Sequence, residues 1–334
     1  MTPCVASRTT GKTAVLLINL GTPEAATPPA LRKYLKQFLW DPRVVELPRP
    51  LWWIVLNLII LNTRPKQSAE KYAKVWTQEG SPLKVHTERQ TKLLRGYLGQ
   101  SGQENLVIEW AMRYGEPSVS SALDRLKSAG CTRILVLPLY PQYSISTTAS
   151  AMDAVQEWER RNPEAAEIAV VEGFHDDNDY ISALAAGINT HWMDYGRPEK
   201  LVMSFHGLPK VSIARGDPYY GQCLESGRRL AGELGLKETD YATTFQSRFG
   251  PAEWLQPYTQ PTLETLARNG VRRVDVVCPG FVSDCLETLE EIAMECKDAF
   301  IAAGGTEFRY IPCLNERHEW IEALAGMVRR KLAI

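Results

Sequence analysis

The sequence predicts an α/β protein of two similar halves, each built on a parallel sheet. Three observations carry this. Short apolar runs alternate along the 334 residues with longer helix-period segments. The runs are continuously apolar, as in strands covered on both faces of a sheet. One pattern, helix–Gly–(Cys or Val)–x–Arg–strand–Pro, also occurs twice, at 119–138 and 263–279.

In chain order, buried strands are expected at 14–21 (AVLLINLG), 105–113 (NLVIEWAMR), 132–141 (TRILVLPLYP) and 166–174 (AEIAVVEGF). They are followed by strands at 200–209 (KLVMSFHGLP), 239–247 (TDYATTFQS) and 272–281 (RRVDVVCPGF). Intervening segments such as 118–130 and 261–270 read as helices that stop at a glycine. The two halves are expected at 1–150 and 151–315, with the last helix, 316–334, packing back on the first half. In open parallel sheets the ligand-binding loops lie at the strand C-termini. A nucleotide-binding enzyme is disfavoured, because AVLLINLGTPE lacks the G-x-G-x-x-G turn. GKT at 11–13 precedes its strand and is no P-loop.

Lys and Arg number 38 against 39 Asp and Glu, so there is no overall field for nucleic acid. The seven cysteines (Cys4, Cys131, Cys223, Cys278, Cys285, Cys296, Cys313) form no C-x-x-C pair. Free thiols in a reducing compartment, the cytoplasm, are expected. The N-terminus has no long apolar core of a signal peptide. Residues 51–61, LWWIVLNLIIL, are too few for the roughly 20 that a spanning helix needs. They read either as a buried helix or site lip, or as an apolar rim in peripheral contact with a membrane. A monomer or weak oligomer is expected.

Of five histidines, His206 alone directly follows a clear buried strand, in VMSFHGLP. Gly207 and Pro209 predict a tight turn that presents its imidazole at the sheet edge. A strand-end histidine can equally be a structural hydrogen bonder. In PGFVSDCLETLEEIAMECKDAF (279–300), Ser283 or Asp284 can cap a helix whose apolar stripe includes Leu286, Leu289, Ile292 and Cys296. Glu287, Glu291 and Glu295 fall on the opposite face at i, i+4, i+8. Such a run is usually a solvated face. Like charges at that spacing repel, however, and Glu287 lies in the first turn, where the helix dipole favours a carboxylate. A carboxylate row leading to a pocket can take up cations or pass protons. Arg113 can bind an anion or pair with a neighbouring carboxylate. Tyr140 belongs to a polar strand-end loop, and Trp254 can stack on a flat ligand or pack in a core.

The segments INLGTPE (18–24), MRYGEP (112–117), LYPQYSISTT (139–148), SFHGLP (204–209), RGDPY (215–219), FQSRFGPAEWLQP (245–257) and PGFVSDCLETLEEI (279–292) resemble ferrochelatase over nearly the whole chain. The resemblance is strongest to the Gram-negative bacterial enzymes. It implies two Rossmann-like domains with a porphyrin cleft between them, and the last step of haem biosynthesis. Protoporphyrin IX and ferrous iron would be the substrates. His206 and Glu287 would be catalytic; these two with Glu291 and Glu295 would meet the metal. Leu20, Arg113, Tyr140, Trp254 and Phe281 would line the porphyrin pocket. Cys285 stands where the family often has histidine. Ile145 stands at the internal cluster-cysteine position of the animal enzymes, whose C-terminal cysteine extension is not matched, so no [2Fe–2S] cluster is expected. Leu20 is apolar where members acting on coproporphyrin have tyrosine, which favours protoporphyrin.

Metallation removes two pyrrole protons and delivers Fe2+ through a stiff ring, and a site that bends the ring exposes its nitrogen lone pairs. His206 is the expected base, with the glutamate row delivering iron or dispersing protons; the reverse division fits the sequence equally. Insertion of another metal, another tetrapyrrole such as coproporphyrin or sirohydrochlorin, and a non-catalytic porphyrin carrier are the alternatives.

Overall fold

The computed structural model describes residues 11–100, 102 and 105–334; Cys4 lies outside the described residues. Strand β1 (Lys12–Gly21) is central, which explains its unbroken apolar run: Ala14 through Ile18 are fully buried. It pairs in parallel with β2 (Leu106–Tyr114) and β3 (Cys131–Pro138), and β3 pairs with β4 (Glu167–Val170), giving the order β2-β1-β3-β4. The second sheet repeats this arrangement. Strands β5 (Lys200–His206), β6 (Tyr241–Gln246), β7 (Arg273–Val277) and β8 (Glu307–Tyr310) run parallel in the order β6-β5-β7-β8. The seven strands expected from apolar runs are present. β8 escaped notice because it is an edge strand of four residues with only Phe308 buried.

Helices α1 (Pro28–Leu39), α2 (Arg49–Ile54), α3 (Leu61–Val75) and α4 (Pro82–Gln100) separate β1 from β2, and α5 (Val119–Ser128) leads to β3. A π-helical stretch, Val55–Ile60, joins α2 to α3. A second, Ile145–Ala149, runs into α6 (Ser150–Arg161), and α7 (Asn178–Tyr195) follows β4. The second half adds α8 (Lys210–Ala214), α9 (Tyr219–Glu233) and α10 (Thr259–Arg268). A third π-helix, Glu287–Cys296, then continues into α11 (Lys297–Ala302), and α12 (His318–Leu332) ends the chain.

Residue 150, near which the two halves are expected to meet, lies inside the continuous helical run 145–161, and β4 beyond it hydrogen-bonds to β3, so the first sheet is complete only at Val170. The helices that follow each sheet are exchanged. α7 follows the first sheet but is tied to the second, where Trp192 Nε1 donates to Asp275 Oδ2 at 2.9 Å. α12 follows the second sheet but packs along α4, and Arg133 on β3 donates to the Leu332 carbonyl at 3.4 Å. One large apolar core accordingly runs through both sheets, joining Leu17 and Leu137 to Met203, Phe205, Trp320 and Leu324.

The run 51–61 is helical and two-faced. Trp52, Leu56 and Leu61 are buried, whereas Leu51, Trp53, Ile54, Leu58 and Ile59 are about half exposed or more. Among the described residues, no helix is long and apolar enough to cross a membrane.

Two substitutions test this packing. Gly21 ends β1 at φ +116°, and a Cβ there would lie 1.7 Å from the Tyr114 carbonyl oxygen. Gly21→Ala should cost more than about 2 kcal/mol in urea unfolding, through backbone strain plus the clash. Trp320 is fully buried beside Phe174 and Tyr180, at ring separations of 5.7 and 6.0 Å. Trp320→Ala should lose about 3–5 kcal/mol by the same measurement.

Candidate active site

His206 is the last residue of β5, at the carboxyl edge of the second sheet. The turn after it is tight, as the sequence predicts. Gly207 N donates to the Gln246 carbonyl at 2.8 Å, and a Cβ on Gly207 would meet that oxygen at 2.6 Å and Trp254 Cε3 at 3.2 Å. His206 Nδ1 lies 2.7 Å from the Gly207 carbonyl oxygen. In the neutral ring that acceptor places the proton on Nδ1 and leaves the Nε2 lone pair available to a proton or a metal. The Phe281 ring lies 6.4 Å from the imidazole.

Glu287 opens the π-helix after β7. Neither expected cap performs that role, because the loop is held from outside the helix. Buried Asp284 accepts from Thr288 Oγ1 at 3.0 Å, Asn315 Nδ2 at 2.6 Å and Tyr310 OH at 2.5 Å. Ser283 Oγ accepts from Gln90 Nε2 of α4 at 3.0 Å. Gln246, at the end of β6, accepts from Ser204 Oγ at 2.7 Å and donates its Nε2 to the Glu287 carbonyl at 3.0 Å. The strand carrying His206 and the helix carrying Glu287 are thus joined through one side chain.

Behind Glu287, Glu291 accepts from the Ser247 N–H at 2.6 Å and from its hydroxyl. Burial pushes the Glu291 carboxyl above the ordinary carboxylate range; the Ser247 donors and His206 pull it down, and the charge of Glu287 pushes it further up. Glu291 therefore lies within electrostatic reach of both His206 and Glu287. Glu295 is exposed and pairs with Lys71 at 2.8 Å. Among the described residues, no three His, Cys, Asp or Glu side chains converge closely enough to hold a metal ion. The row is a series of separate stations.

The first half supplies the facing wall. Leu20, near the end of β1, packs with Leu31, Tyr34, Tyr72 and Tyr114 in a cluster that also takes Leu286, the neighbour of Glu287. Burial, reinforced by the charge of Glu287, holds the phenols of Tyr34 and Tyr72 well above their ordinary range. Of the two roles open to Arg113, the ion pair is realised: NH2 donates to buried Asp41 at 2.6 Å and Nε to Ser150 Oγ at 2.8 Å. Tyr114 and Ser150 also donate to Asp41. Burial raises the Asp41 carboxyl, but these donors, the Arg43 N–H and the Arg113 charge outweigh it and leave it below its ordinary value. Arg113 also borders an open polar pocket of about 460 Å³ beside α6, which neither His206 nor Glu287 lines. The hydroxyl of Tyr140 and the Nε1 of Trp254 are buried with no hydrogen-bond partner.

Sequence reasoning did not pick out Asp41, Gln246, Ser247 or Glu290. Gln246 and Ser247 do stand in the FQSRFGPAEW segment that carries the resemblance. Asp41, in LWDPRV, has no local pattern that marks it.

Residues 12–332 match the ferrochelatase family model. The ferrochelatase of Aromatoleum aromaticum is 60% identical over 321 residues, 96% of this chain and 88% of that one. That of Chromobacterium violaceum is 58% identical over 322 residues, again 96% and 88% of the two chains. Among solved structures, SirB from Bacillus subtilis with Fe3+ is similar over 96% of both chains, with a TM-score of 0.56 at 13% identity, which shows the shared chelatase fold. With both the family pattern and these relatives spanning nearly its whole length, the chain belongs to the ferrochelatase family, the lyases that insert iron into a porphyrin in haem synthesis.

Proposed function

We propose that the enzyme inserts Fe2+ into protoporphyrin IX in the cleft between the Glu287 helix and the Leu20 wall. His206 acts as the base and the glutamate row as the route for iron. The observation that carries this reading is the Gln246 side chain, which ties the strand ending in His206 to the backbone of Glu287 at the carboxyl edge of one sheet. The Gly207 carbonyl supports the division of labour. It keeps the Nδ1 proton engaged and leaves Nε2 to accept the two pyrrole protons in turn. Glu287 then meets the iron, while Glu291, held by Ser247 and raised by burial, passes the cation inward from Glu295 or protons outward to it. Oxygen ligands without thiolate hold a divalent ion loosely enough to release it to the ring.

Leu20 and Phe281 form apolar walls for the vinyl-bearing macrocycle, and the apolar Leu20 favours protoporphyrin over a more carboxylated ring. Tyr140 and Trp254 bring polar atoms that lack partners within the protein, as expected where a ligand supplies them. Arg113, fixed by Asp41, adds positive charge near Tyr140 for an anionic substituent. No [2Fe–2S] cluster enters this reading; the six described cysteines are buried free thiols.

The exposed face of 51–61 is read as a rim that lies against a membrane surface, where an apolar substrate partitions. The exposed Trp53, a row of aliphatic side chains and the neighbouring cations Arg49 and Arg64 support it.

Two experiments test these assignments. His206→Ala and Glu287→Gln should each lower kcat at least about 100-fold, the scale of a lost general base. The assay is anaerobic insertion of Fe2+ or Zn2+, followed by the porphyrin spectrum; near-normal turnover by His206→Ala would remove the base assignment. Trp53→Glu combined with Leu58→Glu should abolish co-flotation with anionic phospholipid vesicles and leave turnover on detergent-dispersed porphyrin unchanged. Undiminished flotation would refute the rim.

A further inference from the structure

Glu290 stands outside the acidic row that the sequence pattern picks out, yet it is the most deeply buried carboxylate of the π-helix. Its side chain is 2% exposed and accepts from Lys71 Nζ at 2.9 Å and Lys74 Nζ at 3.0 Å, both on α3 of the opposite half. Lys71 donates a second time, to Glu295 at 2.8 Å. One ammonium therefore spans two carboxylates five residues apart.

That spacing depends on the kind of helix. With 3.6 residues per turn, residues five apart on an α-helix point about 140° away from each other. A π-helix repeats its hydrogen bonds at i→i+5, so residues five apart stack along one side. The segment is π-helical throughout Glu287–Cys296, which includes both partners of Lys71. If it tightened to an α-helix, Lys71 would have to abandon Glu290 or Glu295. Glu290 keeps Lys74 in either register and Glu295 is exposed, so the bridge favours the π-helical register by one partly exposed ion pair, with Lys71 shared between two carboxylates.

We propose that Lys71 is a positioning residue of the metallation reaction: by bridging Glu290 and Glu295 it holds the helix in π register and so sets the direction of Glu287 and Glu291. It reaches the helix from outside and acts through the backbone. The catalytic consequence rests on the roles given above to Glu287 and Glu291; the register itself does not.

Lys71→Met keeps the aliphatic stem and removes the charge, and Lys71→Arg restores a donor able to reach two carboxylates. The crystal structure of Lys71→Met should show i→i+4 bonds in place of i→i+5 across 290–295. Its kcat for Zn2+ insertion into protoporphyrin should fall about tenfold, the order expected for a sub-ångström misplacement, with the porphyrin KM within about twofold. Lys71→Arg should recover both, and adding Glu290→Gln to Lys71→Met should lower kcat little further, because both remove the same bridge. An unchanged π-helix in Lys71→Met, or an unchanged kcat, would overturn the proposal, as would a loss of activity that only follows a lowered melting temperature. Failure of the site reading shows separately, as turnover retained in His206→Ala and Glu287→Gln.

Discussion

A buried carboxyl group can stay in a protein interior only if donors surround it, and Asp284 is the group on which the rest of the site depends. Thr288, Tyr310 and Asn315 all direct a donor at it. Those partners come from the helix that begins beside it, from the edge strand β8 and from the loop before α12. Satisfying one side chain therefore fixes where the π-helix starts relative to the second sheet. Gln246 adds the connection to β6, and through Ser204 to β5, the strand that ends in His206. The base and the carboxylates share one set of hydrogen bonds, so their separation is set by backbone-anchored groups more than by side-chain freedom.

The fold was legible wherever burial is two-sided. Continuous apolar runs mark β1, β3 and β5, and the duplicated helix–Gly–x–x–strand pattern anticipates two sheets with one strand order. What escaped is what burial marks weakly or what depends on distant partners. β8 is a short edge strand. β4 lies beyond a helix that gives no sign of whether the next strand joins the old sheet or a new one. A period of 3.6 puts Glu290 off the acidic face, and its burial against Lys71 and Lys74 of α3 depends on partners the local sequence does not mark. Arg113 was legible as a charge that needs a partner, but the chain does not announce that Asp41, seventy-two positions earlier, supplies it.

Along the acidic row one residue type is given different properties by its surroundings. Repulsion at i, i+4 would count against three exposed glutamates. The structure relieves it separately at each station. Two donors from Ser247 meet Glu291, and a lysine from across the cleft meets Glu295. Burial then differentiates the pair. It raises the Glu291 carboxyl, while Glu295 is exposed and paired with Lys71.

The exchange of α7 and α12 bears on how a flat, rigid ligand can enter. Because each helix follows one sheet and packs towards the other, separating the two sheets would tear the main core that runs from Leu17 to Phe205 and Trp320. That motion costs a large part of the folding free energy. The segment from α1 to α3 is held differently. Its apolar residues form two small clusters of their own, one around Leu31 and Tyr72 and one around Trp52 and Leu56. Local opening follows the elements with the least shared burial. The least shared burial thus lies at the lip, where Leu20 and Tyr34 meet the Glu287 helix and where Lys71 and Lys74 pair with Glu290. On the proposed reading, metal insertion and access of the porphyrin meet at the same helix, which carries Glu287 and Glu291 and also Glu290, the partner of Lys71 and Lys74.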